Sequence, residues 1–339
     1  LVAHALDRSG YLWSPRVFYR FCRDVLSKEG YLLHKYNPDG TLASSWHPWV
    51  REGQKDLPIQ EDETALVLWA LWHHFEEWKD VEYIKPLYRS LIVRAADFLV
   101  AYRHADTGLP KTSYDLWEER RGVLAFTVSA VWAGLTAAAN FANAFGEMDA
   151  AERYFKAAEQ MKAGAESVLY HPELKRFVRM ANRNEDKSWE HDRTIDSSMY
   201  GLWYFGMFEP DDPRIVRTME AIREKLTVRT AVGGIARYEN DYYHQQSQDI
   251  ATVPGNPWFI CTLWVAEWMI ATAKTRADLK PAVSLLEWCV QHGLPSGVLA
   301  EQVHPYSHAP LSVSPLTWSH ATFVLAVREY LEKWKSLPK

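Results

Sequence analysis

The stretch GVLAFTVSAVWAGLTAAANFANAFGEMDAAERYFKAAEQMKAGAESVL, residues 122–169, decides the fold. Its first part, 122–145, is apolar nearly all round and carries no charged side chain. A helix of that composition has to be buried on every side. Its second part, 148–169, puts Tyr154, Ala158, Met161, Ala165 and Val168 on one stripe, with Glu152, Lys156, Glu159 and Lys162 opposite. Such a helix covers apolar surface with one face and meets water with the other. The turn near 145–148 is so short that the two helices run antiparallel, side by side. One inner helix and the outer helix that coats it are therefore written together.

The same sentence repeats along the chain. Segments 63–76, 193–206, 257–273 and 317–330 read as further inner helices, and 1–8 as the remainder of another. Segments 15–28, 81–104, 213–227 and 277–291 read as outer helices. In 81–104 the stripe is Ile84, Leu87, Leu91, Ala95, Phe98 and Tyr102. Ser14-Pro15 and Asp212-Pro213 supply an N-cap followed by proline at the first helical position. No stretch alternates convincingly enough to predict a strand. Short turns near 9–12, 79–80, 145–148, 207–212 and 274–277 alternate with long loops near 29–60, 106–121, 171–191, 229–256 and 295–316. The loop centres lie roughly 60 to 70 residues apart, an internal repeat. Because each hairpin brings the chain back to the end it left, all the long loops gather at one end. The economical packing is an all-α (α/α)6 toroid, one domain over 1–339. Eleven helices are counted, so its first outer helix is missing. A helical solenoid would stack the same hairpins, but it would not explain why the loops are rich in tryptophan and acid.

Composition excludes several function classes. Net charge is −5 with neither sign clustered, so no nucleic-acid footprint is expected. No apolar run is expected to reach the ~18 residues of a membrane span. The N-terminus has none of the parts of a signal peptide, and an opening on Leu1 suggests a chain cut from something longer. Cys22, Cys261 and Cys289 are far apart, and buried free thiols suit a reducing, cytoplasmic setting. His73-His74, His304 and His308 lack metal-ligand spacing, so neither a metal nor a cofactor is expected.

The chemistry lies on the long loops. They carry HKYNPDGTLASSWHPW (34–49), SYDLWEER (113–120), IARYENDYY (235–243) and LAEQVHPYSH (299–308), the last leading into PLTWSH (315–320). Carboxylates, aromatic rings and an arginine gathered in one crater suit a carbohydrate, whose C–H faces stack on rings and whose hydroxyls need polar partners. Glycoside hydrolysis needs two carboxyl groups about the scissile bond. Glu118, after Trp117 and between Asp115 and Glu119, has the surroundings of a general acid. Glu301, between Ala300 and Gln302 on another loop, is the candidate base. The acidic triplet Glu61-Asp62-Glu63 opens a helix and reads as a solvated charge run favoured by the helix dipole.

SYDLWEER resembles the acid loop of glycoside hydrolase family 15, the glucoamylases. AEQ followed by LTWSHA resembles its base loop, and ARYENDYY with GNPWF (255–259) its third sugar-binding segment. The three occur in the family's order and, with the hairpin repeat, extend the resemblance over the whole chain. The loop at 34–49 is closer in style to prokaryotic members. The resemblance implies an exo-acting, inverting enzyme that releases β-D-glucose from α-linked glucosides, with Glu118 as acid and Glu301 as base. It implies that Asp115 and Arg237 hold hydroxyls of the innermost sugar, that Glu119 contacts the next sugar, and that Trp117, Trp318 and Trp49 wall the pocket. It also implies a W-x-R-D segment and an N-terminal β-sandwich ahead of LVAHALDRSG, neither of which this sequence contains. A trehalase, an α-1,6-glucosidase and an inactive carbohydrate-binding fragment are the alternatives, and self-association into a homo-oligomer is allowed. A phosphorylase or epimerase on the same ring would not require Glu301.

Overall fold

The computed structural model describes residues 1–338 apart from Trp46, Glu52 and Asp56, with Lys55 described for its backbone. In chain order the helices are α1 (Val2–Arg8), α2 (Trp13–Val25), α3 (Glu61–Trp78), α4 (Val81–Leu87), α5 (Val93–Ala101), α6 (Ala125–Ala144), α7 (Met148–Val168), α8 (Gly201–Tyr204), α9 (Pro213–Leu226), α10 (Phe259–Thr272), α11 (Lys280–His292) and α12 (Thr317–Ser336). α1, α3, α6, α8 with the 3-10 turn before it, α10 and α12 each touch the next, and α12 returns to α1. This is the closed inner ring of an (α/α)6 toroid. Outside it, among the described residues, lie α2, the α4–α5 pair, α7, α9 and α11. The inner ring is thus complete and the outer ring is one helix short.

The division follows the patterning. α6 is buried along its length, from Ala125 to Ala142. It packs on α3 so closely that a Cβ at Gly134 would lie 2.8 Å from the carbonyl oxygen of Ala65. Glycine is needed there for backbone approach. α6 also corrects the membrane expectation. Its 20 residues are long and apolar enough for a span by composition, yet most of that surface is covered by neighbouring helices. α12 is inner only at its start, where Ser319, Ala321, Thr322, Leu325 and Ala326 are buried, while Leu331 and Trp334 further along are exposed. All three cysteines are free and buried.

Three helices depart from the sequence reading, the first being α2, which starts at Trp13 with Leu12 at its N-cap, so that Ser14 lies inside the helix. The outer helix over 81–104 contains Pro86, which lacks the N–H an α-helix needs. A π turn, Tyr88–Ile92, follows it, and Ser90 Oγ donates to the Pro86 carbonyl at 2.7 Å. The inner helix expected over 193–206 shrinks to a 3-10 turn, Ser197–Tyr200, and α8. Asp196 caps that turn by accepting from Ser198 N–H at 2.8 Å, and Gly206 at φ +84° ends the segment.

The expectation of no strands also fails, because the long loops pair with one another. The strands are β1 (Val50–Arg51), β2 (Gln54–Lys55), β3 (Ser113–Tyr114), β4 (Arg121–Leu124), β5 (Tyr170–His171), β6 (Arg176–Phe177), β7 (Met180–Arg183), β8 (Trp189–Asp192), β9 (Ile235–Ala236), β10 (Pro257–Trp258), β11 (Gln302–Val303) and β12 (Pro310–Leu311). Strands of two to four residues are too short to show a period of two. Yet β3-β4-β7-β8 form one antiparallel sheet and β9-β10-β11-β12 another. Each sheet joins two neighbouring long loops into a plate at the rim of the ring.

Candidate active site

The first plate carries an acidic hairpin. β3 and β4 pair Ser113 with Gly122 and Tyr114 with Arg121, leaving Asp115–Arg120 as the turn. Asp115 N–H donates to the Arg120 carbonyl at 2.7 Å, and Glu118 N–H to the Asp115 carbonyl at 2.8 Å. Asp115 Oδ1 accepts from the N–H groups of Glu119 (2.8 Å) and Arg120 (3.2 Å). A short acidic side chain that folds back on its own backbone is a turn former. These ties hold Glu118 at φ +59°, a left-handed conformation that is uncommon for a side chain of its size. The Glu118 side chain is 23% exposed and lines a cavity of about 550 Å³.

Arg237 secures the hairpin from the second plate. Its Nε and Nη2 donate to Asp241 at 2.9 and 2.7 Å, and Nη2 also bonds Glu119 and Tyr238. Tyr238 donates to Glu119 at 2.6 Å. The guanidinium lies within 5.2 Å of the ring centres of Trp117, Tyr238, Tyr243 and Trp258. Flanking acids hold Arg237 firmly charged although burial opposes it. Trp117 Nε1 donates to both oxygens of buried Asp196 at 3.1 Å. A file of rings runs Trp258, Trp117, Trp264, Trp318, each centre 5.7–5.9 Å from the next.

Glu301 enters on the second plate just before β11. Its N–H donates to Val313 C=O at 2.9 Å and its C=O accepts from Phe259 N–H at 3.3 Å. Ala300 and Gln302 on either side are buried. Gln302 Oε1 accepts from Asn256 Nδ2 at 2.8 Å. The alternation of an extended chain turns Glu301 the other way, to the cavity. Among the described residues Glu301 Oε2 and the indole N–H groups of Trp258 and Trp318 have no hydrogen-bond partner, although all three atoms are buried. Three residues of the cavity wall thus carry one acceptor and two donors with hydrogen-bonding capacity to spare.

Beneath the acidic hairpin the first two acids of the triplet at the start of α3 prove to be buried, not solvated, and Glu63 is half-buried. Glu61 and Asp62 are 1% and 3% exposed. Burial pushes Glu61 up to about 8 and Asp62 up to about 6. Asp115 is also pushed up to about 6 by burial, against the two N–H groups that favour its ionised form. The helix N-terminus explains why acids are tolerated, but α3 starts inside the loop layer, where water does not reach. The charges of Asp115 and Glu118 add to burial in raising Asp62, and those of Asp62 and Glu118 add to it in raising Glu63.

The cavity is lined by Leu116, Trp117, Glu118, Glu119, Arg237, Tyr242, Tyr243, Trp258, Glu301 and Trp318. Six of the eight residues singled out from sequence are thereby brought together: Trp117, Glu118, Glu119, Arg237, Glu301 and Trp318. Asp115 is not in the wall. It is 6% exposed and shapes the turn from behind. Trp49, 38% exposed beside β1, is not in the wall either. Trp258, Tyr242 and Tyr243 lay inside motifs already noted but were not picked as site residues, since several aromatic residues there compete for the same role. Spacing also concealed His34 and His47, which fold against Glu118. His47 Nε2 is 4.0 Å from Glu118 Oε2.

Comparison with known proteins identifies the family of the chain. The family described as glycosyl hydrolases family 15 matches residues 57–290. An uncharacterised glycosyl hydrolase of Methanocaldococcus jannaschii is 30% identical over 97% of this chain and 49% of its own length. A glucoamylase of Clostridium is 27% identical over 73% of the chain and 36% of its own, and a trehalase of Mycobacterium tuberculosis 25% identical over 79% and 35%. The chain thus spans about half the length, or less, of these curated relatives. A bacterial glucoamylase solved in complex with acarbose superposes with a TM-score of 0.78 at 22% identity, over 98% of this chain and 48% of that one, a likeness of fold. The family match covers most of the ring and both candidate plates except the segment bearing Glu301, and the archaeal relative extends it across that segment too; the chain belongs to glycosyl hydrolases family 15.

Proposed function

We propose that this chain is the catalytic ring of a glycoside hydrolase that releases β-D-glucose from the non-reducing ends of α-glucosides with inversion. The observation that carries the reading is the meeting of Glu118 and Glu301, from two separate plates, in one cavity walled by tryptophan and tyrosine. Glu118 stands on the acidic hairpin, near enough to Asp62 and Glu63 for its charge to raise both, and takes the part of the general acid in this reading. It donates its proton to the glycosidic oxygen as the bond to the anomeric carbon breaks. Glu301 takes a proton from the water that attacks that carbon from the opposite face. Glu301 lines the cavity and has an oxygen without a hydrogen-bond partner, which suits the acceptor this step requires. Trp117, Trp258 and Trp318 offer ring faces to the sugar, and the free indole N–H groups suit its hydroxyls. Arg237, buried and doubly paired, positions Glu119 at the wall.

Anomer-resolved NMR of the first product formed by the parent protein tests the reading. β-Glucose is expected, and early α-glucose would overturn inversion. The trehalase among the relatives keeps a second substrate in view. Maltose, isomaltose and trehalose assayed side by side decide the linkage.

A further inference from the structure

Three side chains distant in sequence converge at the acid. One donor atom from each of His34, His47 and Glu118 lies within 4.8 Å of the other two. The imidazoles of His34 and His47 have centres 5.1 Å apart, and the His47 ring is stacked flat on Tyr114 at 3.6 Å and 16°. His47 is 5% exposed, so its ring plane is fixed by packing. Tyr114 is held in turn by Arg51, which donates to its hydroxyl at 3.1 Å.

We infer that His34, His47 and Glu118 form a site for a divalent transition cation of the zinc type, and that its occupation switches the hydrolase off. Bonds of about 2.0–2.2 Å in a tetrahedron place donors about 3.3–3.5 Å apart. Separations of up to 4.8 Å need a contraction of roughly 1 Å, to be made by rotation about the side-chain bonds of Glu118 and His34 against the fixed His47 ring. Two imidazoles select zinc, copper or nickel over calcium or magnesium, which prefer all-oxygen shells. Two histidines, one glutamate and an open fourth position make up a well-known zinc donor set. The inhibitory part rests on Glu118 being the general acid. A carboxylate oxygen bound to a cation no longer carries the proton for the leaving group, and the ion fills space beside it.

Calorimetric titration of the protein with zinc chloride tests the site. One site is expected, weakened at least tenfold in His34→Ala, His47→Ala and Glu118→Gln. Absence of binding would overturn the inference. So would binding unchanged in all three variants, which would place zinc elsewhere, for example at His292 and His308, whose nitrogens lie 2.9 Å apart. Should a variant fail to fold, cobalt added to the unmodified protein gives an independent reading. Intense visible bands of a four- or five-coordinate ion, abolished by zinc, are expected, and the pale octahedral spectrum alone would refute the site. Hydrolysis should fall as the calorimetric site fills and return on chelation, and undiminished hydrolysis at full occupancy would refute the switch. If Glu118→Gln hydrolyses normally, the acid assignment fails, while calorimetry still judges the metal site.

Discussion

The two carboxyl groups of the cavity reach it by opposite structural means. Glu118 sits in a six-residue turn, in a left-handed conformation held by Asp115, with further acids packed behind it. Glu301 lies on extended backbone, flanked by the buried pair Ala300 and Gln302, with an amide latch to Asn256. The first environment is crowded with negative charge. The second is neutral and leaves an oxygen free. Under the proposed roles, two identical side chains take different tasks from what surrounds them, as paired carboxyl groups require.

The largest expected effect tests that division directly. Glu118→Gln and Glu301→Gln should each lower turnover of an α-glucoside by ~10²–10⁴-fold. They should part company on α-glucosyl fluoride, whose leaving group needs no proton. The Glu118 variant should recover most of its activity there, and the Glu301 variant should not. Equal recovery of both, measured by fluoride release, would erase the distinction.

Next in size is the tie between the plates. Arg237→Ala leaves Asp241 buried without its cation and Glu119 with Arg120 alone, and breaking a buried pair costs about 3–5 kcal/mol. Chemical denaturation should show that loss. The same loss in Arg237→Lys would mean that the charge alone was not enough and that the two-pronged geometry matters.

A pH effect should belong to the acid side. Glu61 holds its proton more tightly folded than unfolded, because burial pushes it from 4.5 up to about 8. Its contribution is therefore whole below about pH 4.5 and is lost as pH rises towards 8, and Asp62 and Asp115 act with the same sign up to about 6. Glu61→Gln should remove about 2–3 kcal/mol of the stability lost between pH 5 and pH 7. Melting curves at the two values check it, and an unchanged slope would place the titration elsewhere. The smallest effect should lie on the base side. Asn256→Ala strands the buried oxygen of Gln302 and should cost about 1–3 kcal/mol at any pH from 5 to 8.

The sequence disclosed the ring because burial all round and burial on one face are patterns spread over many residues. It brought Glu118 and Glu301 to one crater because the loops had to gather at one end, and the family resemblance pointed to Arg237, Trp117, Glu119 and Trp318 beside them. It did not disclose what short-range geometry decides. The two-residue strands leave no period, and the shortened inner helix depends on a cap at Asp196 and a glycine at 206. Asp115 looked like a sugar ligand because a carboxylate that braces a turn and one that faces a cavity are the same letter. Glu61 and Asp62 looked solvated because acids at a helix start usually are. His34 and His47 lie 71 or more residues before Glu118, counted from their numbers, and only the folded loop shows that they meet it.

The plates have a consequence for how such a molecule can change. Each is a small ladder spanning two loops, and the bridge Asp196–Tyr238 and the Arg237–Glu119 pair link one to the other. Apart from the Asp115–Arg120 turn, which carries Glu118, loop tips beyond the ladders should be free to lengthen or shorten without disturbing either carboxyl group. An insertion inside a ladder shifts a whole plate and, with it, the gap across which a proton must pass. Variation in substrate choice should therefore accumulate at the tips, while the distance between acid and base is inherited as a unit.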